Sequence, residues 1–149
     1  MAWAAALAAV VTLSACGRVW LAQPEQAVAG QQLLRDPSLE QARDGQFVHW
    51  RAWSKGGYQV DEAVKRSGRY SARCSASDTN TQYGIYQTVV LNQKEPVPII
   101  ARVWSKAENV SGGPDKGYSL YLDVVFQDGS PLWGQAFSFD TGTHDWQLG

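Results

Sequence analysis

The sequence predicts an all-β fold, an antiparallel sandwich, on three observations: short runs in which apolar and polar residues alternate, turn-forming residues between the runs, and no stretch of helical periodicity. Gln46–Trp50 and Tyr58–Asp61 are the first runs, separated by Lys55-Gly56-Gly57. Tyr70–Ala76 follows Ser67-Gly68 and sets Tyr70, Ala72 and Cys74 on one parity. Tyr83–Leu91 is β-branched and aromatic, and Asn92-Gln93-Lys94-Glu95-Pro96 ends it. Pro98–Ala107 carries Ile99, Ala101 and Val103 on one parity and Arg102, Trp104 and Lys106 on the other, before Ser111-Gly112-Gly113-Pro114. Tyr118–Gln127 and Leu132–Phe139 form a hairpin, and after Thr141-Gly142-Thr143 a last run begins near Asp145. About eight such strands fit a jelly roll, whose two sheets stack to cover their apolar faces.

The hairpin carries the most information. Leu120, Leu122, Val124 and Phe126 fall on one parity, and Ser119, Tyr121 and Asp123 on the other, which makes a half-buried strand. Asp128-Gly129 supplies the tight turn, and two registers are open. A two-residue Asp128-Gly129 loop pairs Val124 with Trp133 and Leu122 with Gln135, burying the indole. A three-residue Gln127-Asp128-Gly129 loop sets Trp133 beside Asp123 and Gln135 beside Tyr121, an outer face of Trp, Gln, Tyr and Asp. The second is preferred because it keeps the Gln135 amide out of the core.

With 149 residues the chain is long enough for one domain with a core, and 18% charged residues at net charge -1 leave no electrostatic footprint for nucleic acid. Seven Trp and 11% aromatic residues suit a sandwich. Ala2–Ala15 is apolar apart from Thr12 and Ser14, too short for a comfortable membrane-spanning helix, and leads into Leu13-Ser14-Ala15-Cys16-Gly17. This resembles a bacterial lipobox, although no Lys or Arg precedes the apolar run. It implies a signal peptide over 1–16, lipid attachment at Cys16, a tether over 17–30 and a sandwich over 31–149. An ordinary secretion signal is the alternative, and both put the protein outside the cytoplasm. Cys74, the second cysteine, reads as a small buried residue, and neither a disulfide framework nor zinc-ligand spacing is present.

Four segments carry a family resemblance. Leu33-Leu34-Arg35-Asp36-Pro37-Ser38-Leu39-Glu40, Val64-Lys65-Arg66-Ser67-Gly68-Arg69-Tyr70-Ser71, Ala101-Arg102-Val103-Trp104-Ser105-Lys106-Ala107 and Thr141-Gly142-Thr143-His144-Asp145-Trp146 follow one another as in carbohydrate-binding modules of families 4, 9 and 22. The resemblance, to a galactose-binding-domain-like jelly roll, implies a module that binds polysaccharide or oligosaccharide without cleaving it, beside a glycoside hydrolase domain further along a longer protein. It also implies a structural calcium, with Glu40 meeting Ser67 and Gly68 and with an Asp in a last strand. Here the chain stops at Gly149, so that strand and its ligand are expected to be missing.

Sugar rings present apolar faces edged by hydroxyls, so flat aromatics and fixed polar groups are the residues to look for. Trp104, Tyr121, Asp123, Trp133, Gln135 and Arg102 offer both kinds. Each also has a structural alternative: Trp104 as cover for an outer sheet, Tyr121 and Asp123 as a solvated face, Arg102 and Lys106 as surface charges. Trp50 and Trp146 read as core. For an enzyme, Glu95, Glu108, Asp128, Asp140 and Asp145 lie in or near turns, but nothing pairs two carboxylates, and His49 and His144 lack a nucleophile partner. Non-catalytic carbohydrate binding is therefore expected, against a structural or adhesion sandwich that positions other domains.

Overall fold

The computed structural model describes residues 6–13, 17–22, 31–93, 97–113 and 117–149, the first of these by backbone and strand pairing. Cys16, residues 23–30 of the expected tether, and the turn residues Lys94, Glu95, Pro96 and Pro114 lie outside the described residues. Among the described residues there are twelve strands and no helix. They are β1 (Ala6–Leu13), β2 (Gly17–Ala22), β3 (Ala42–Arg43), β4 (Gln46–Phe47), β5 (Arg51–Ala52), β6 (Gln59–Asp61), β7 (Ser71–Ala76), β8 (Tyr83–Val90), β9 (Trp104–Val110), β10 (Tyr118–Val125), β11 (Pro131–Ser138) and β12 (Gly142–Leu148).

One five-stranded sheet runs β11-β10-β1-β8-β5, a second runs β12-β9-β2-β7-β6, and β3 and β4 pair with each other. All strand ladders are antiparallel. The all-β sandwich expected from alternation is thus the fold observed. Val19, Leu21, Ala72, Cys74 and Ala107 of the second sheet pack into one core with Ile85, Tyr118 and Leu120 of the first. Burying each large apolar side chain of this kind contributes about 1.5–3 kcal/mol. Leu39, Phe47, Trp50 and Phe139 join this core from outside the two sheets. The Ser105 hydroxyl and the Tyr118 phenol meet at 2.6 Å between the sheets, which satisfies two polar groups the core would otherwise leave unpaired. Trp50 and Cys74 are buried as expected, whereas Trp146 is only half-buried.

Two elements differ from the sequence expectation. The run expected from Pro98 becomes a strand only at Trp104. Its parity holds: Val103, Ser105 and Ala107 are buried, and Trp104 and Lys106 point the other way.

The larger difference lies near the N-terminus. β1 occupies the middle of the first sheet, with Ala6–Leu13 in register with Val125–Tyr118 on one side and Val90–Tyr83 on the other. β2 occupies the middle of the second sheet, between β7 and β9, with Val19, Trp20, Leu21 and Ala22 all buried. Gly17–Ala22, expected as tether, is here a central strand. A run that is apolar on both parities suits the centre of a sheet and the core of a leader equally well, so composition does not separate them.

Candidate functional site

The β10–β11 hairpin contains both of the registers open to the sequence. At the turn the three-residue loop forms: the Phe126 N–H donates to the Ser130 carbonyl at 2.8 Å, the Gly129 N–H donates to the Phe126 carbonyl at 2.9 Å, and Val124 faces Leu132. Past Asp123 the register shifts by one, pairing Leu122 with Gln135 and Tyr121 with Ala136. Trp133 and Gly134 together face Asp123, a bulge that Gly134 accommodates at φ 74°. The Gly134 N–H donates to Asp123 Oδ1 at 2.9 Å. Trp133 therefore lies beside Asp123, 58% exposed, as the preferred register expects. Gln135 does not follow it: the shift moves Gln135 to the parity of Leu122, where its amide donates to the Trp133 carbonyl, and Ala136 takes the place beside Tyr121.

The outer face of the first sheet gathers several groups. Val10 of β1 is in register with Tyr121 on one side and Tyr86 on the other, and Ala8 with Asp123 and Thr88. Arg51 of β5 pairs with Tyr86. Tyr121 and Tyr86 thus lie two strand spacings apart, about 10 Å. Desolvation and the adjoining Asp123 carboxylate push the Tyr121 phenol above its ordinary range, so it stays protonated and able to donate. Tyr86 meets Trp53 edge-on at 5.8 Å, and the Trp53 indole N–H is buried without a partner among the described residues.

Beside Tyr86 the sheet opens into a cleft of about 710 Å³. Its origin is a mismatch of strand lengths: two-residue β5 covers only Tyr86 and Ile85 of eight-residue β8, leaving the stretch from Gln87 to Val90 without a strand on that side. Segments holding Leu33, Arg35, Val48 and His49 wall the gap. Gln87, 8% exposed, pins them. Its Oε1 accepts from the Arg35 N–H at 2.7 Å, and its Nε2 donates to the carbonyls of Arg35 at 2.9 Å and His49 at 3.0 Å. The sequence reading passed over Tyr86, Arg51, Arg35, His49 and Gln87 as site residues. One signal for them existed, a Gln on the same parity as Ile85 and Val89 in an otherwise apolar strand.

The remaining expected residues lie elsewhere. Trp104 sits on the outer face of the second sheet, where the Arg66 guanidinium lies 4.1 Å from the centre of its ring. Arg102 is exposed just ahead of β9. On the same sheet the buried Trp20 indole donates to Asp61 Oδ2 at 3.2 Å, Arg73 pairs with Asp61 at 3.2 Å, and Lys106 pairs with Asp145 at 2.8 Å. That face is knit together by its own side chains.

Glu40 does reach the Ser67-Gly68 turn, so closely that a Cβ on Gly68 would collide with its carboxylate. Both carboxylate oxygens accept from the Arg69 N–H, each at 3.1 Å. Calcium takes six or more oxygen ligands, and among the described residues no three His, Cys, Asp or Glu side chains gather. Glu40 is the one carboxylate among Glu40, Ser67 and Gly68, the residues that the resemblance names for calcium. His144 contacts the carbonyls of Asp145 and Asp140 through its two ring nitrogens. No protein-family model, no curated protein and no solved structure matches this chain.

Proposed function

We propose that this chain is a non-catalytic carbohydrate-binding module that holds a polysaccharide or oligosaccharide against the outer face of its first sheet. The observation that carries this is the open face itself. Tyr121 and Tyr86 stand two strands apart with Asp123, Thr88 and Arg51 around them, and a cleft of about 710 Å³ continues the face past β5. Aromatic rings among fixed donors and acceptors are what stacking on C–H faces and binding of hydroxyls require. Trp133 extends the face at the bulge, whereas Gln135 and Trp104 are not needed for it. The order of the four family-like segments supports a jelly roll related to families 4, 9 and 22. An extracytoplasmic location suits a ligand found outside the cell, provided that β1 stays with the mature chain.

A second function has one observation in its favour. Leu132 and Phe137 of edge strand β11, opposite Val124 and Leu120, are each more than 40% exposed, apolar surface that a structural or adhesion sandwich would use to seat a neighbouring domain. Glycan-array binding of the purified chain, with Tyr86→Ala and Tyr121→Ala as controls, separates the two. Glycan binding that both substitutions weaken supports the module. A blank array across neutral and acidic glycans favours the adhesion sandwich.

A further inference from the structure

The cleft beside β8 is cationic and has no counter-charge. Arg35, His49 and Arg51 line it, and no acidic residue does. Elsewhere several basic side chains are answered by acids: Arg18 by Glu108, Arg73 by Asp61, Lys106 by Asp145. Among the described residues no ion pair or hydrogen bond engages the guanidinium of Arg35 or Arg51. This concentration of positive charge stands on a chain whose net charge is -1. The walls bearing Arg35 and His49 are held by three hydrogen bonds to the buried Gln87 amide, so both positions are set by the fold.

A neutral sugar's hydroxyls can accept from a guanidinium, but they bring it neither a counter-charge nor two parallel acceptors. A planar guanidinium fork matches a carboxylate, with two parallel charge-assisted hydrogen bonds. We infer that the cleft takes an acidic sugar, a uronic acid residue whose carboxylate lies between Arg35 and Arg51 while its ring rests near Tyr86. This rests on the carbohydrate-binding function proposed above and names the ligand class of its site.

The test is affinity electrophoresis of the full chain through gels containing polygalacturonate, neutral xylan or dextran sulfate, followed by calorimetry with galacturonate oligomers. Retardation by polygalacturonate is expected, and Arg35→Gln and Arg51→Gln should each weaken it by about ten-fold, the scale of one charge-assisted hydrogen bond. Unchanged melting temperatures are expected for both variants, because these side chains have no ion pair or hydrogen bond to lose among the described residues. Binding to xylan alone, unaffected by Arg51→Gln, overturns the uronate inference and leaves the module standing. Binding to dextran sulfate as tight as to polygalacturonate reduces the cleft to an ion exchanger and also overturns it. No binding to any of the three overturns the uronate inference, and the glycan array then decides the module.

Discussion

The Gly134 N–H and the Asp123 carboxylate, 2.9 Å apart across β10 and β11, hold the point at which the hairpin changes register. Without the bulge the register at the turn would run on and set Gln135 beside Tyr121; with it Ala136 takes that place. Asp123→Ala should destabilise the fold by about 1.5 kcal/mol, the value of one hydrogen bond to a charged acceptor. Asp123→Asn, which keeps an acceptor, should cost less. Urea denaturation measures both, and an unchanged midpoint for Asp123→Ala would show the bond to be idle.

Asp61 should give the sandwich an acid-sensitive limb. Desolvation raises its pKa, but the N–H groups of Val64 and Ala63, the Trp20 indole and the Arg73 guanidinium together outweigh that, and the carboxyl sits below the ordinary aspartate range. A depressed folded pKa means the contribution is fully present above the unfolded value of about 3.9 and is lost as pH falls through the lower folded value. Asp61→Asn should flatten the dependence of melting temperature on pH in that window. Asp61→Ala should cost about 2 kcal/mol, discounted from the fully buried case because the Arg73 side chain is 37% exposed.

Removing residues 1–16, as processing ahead of Cys16 would, takes β1 away and leaves β2 in place. β8 and β10 would then each lose eight paired residues at the centre of the first sheet. Free edges of that length recruit other strands. The shortened chain should lose its cooperative melt or associate, which thermal denaturation and size-exclusion chromatography measure. An unchanged monomer melting at the same temperature would mean that β1 contributes nothing to the sandwich. Cys16→Ser tests the lipid anchor separately, by loss of membrane partition.

Tyr121→Ala and Tyr86→Ala should each weaken glycan binding by about 1–3 kcal/mol while the fold persists. Trp104→Ala should do the reverse. It removes the platform under Arg66 on the opposite sheet, so the melting temperature should fall while affinity for a glycan stays. Weakened binding in the Trp104 variant alone would move the site to the second sheet.

Cys74 should resist alkylation in the native protein. Its thiol is 1% exposed, and burial pushes its pKa up to about 12, so almost none is thiolate at neutral pH. Mass spectrometry after iodoacetamide treatment should find it unmodified until urea unfolds the chain. Rapid labelling under native conditions would indicate that the core opens locally around β7.

Alternation by itself determined the all-β class, the positions of β7, β8, β10, β11 and β12 to within a few residues, and the buried parity of Ala72, Cys74, Val103 and Leu120. These are properties of period two and of local turn chemistry, and a single strand carries them. Tyr121 and Asp123 were legible as an outward pair for the same reason. What only the tertiary structure decided depends on pairing partners distant in sequence. The hairpin register hinged on where a bulge falls, and the answer was a shift at Asp123 that admits Trp133 to the face and turns Gln135 away. The cleft at Tyr86 arises because β5 is shorter than its neighbour, and no window of sequence holds both strands. Residues 6–13 and 17–22 are the sharpest case. Their apolar run is compatible with a leader and with a central strand, and the structure pairs them with β7, β8, β9 and β10, whose open ladder groups no local pattern records.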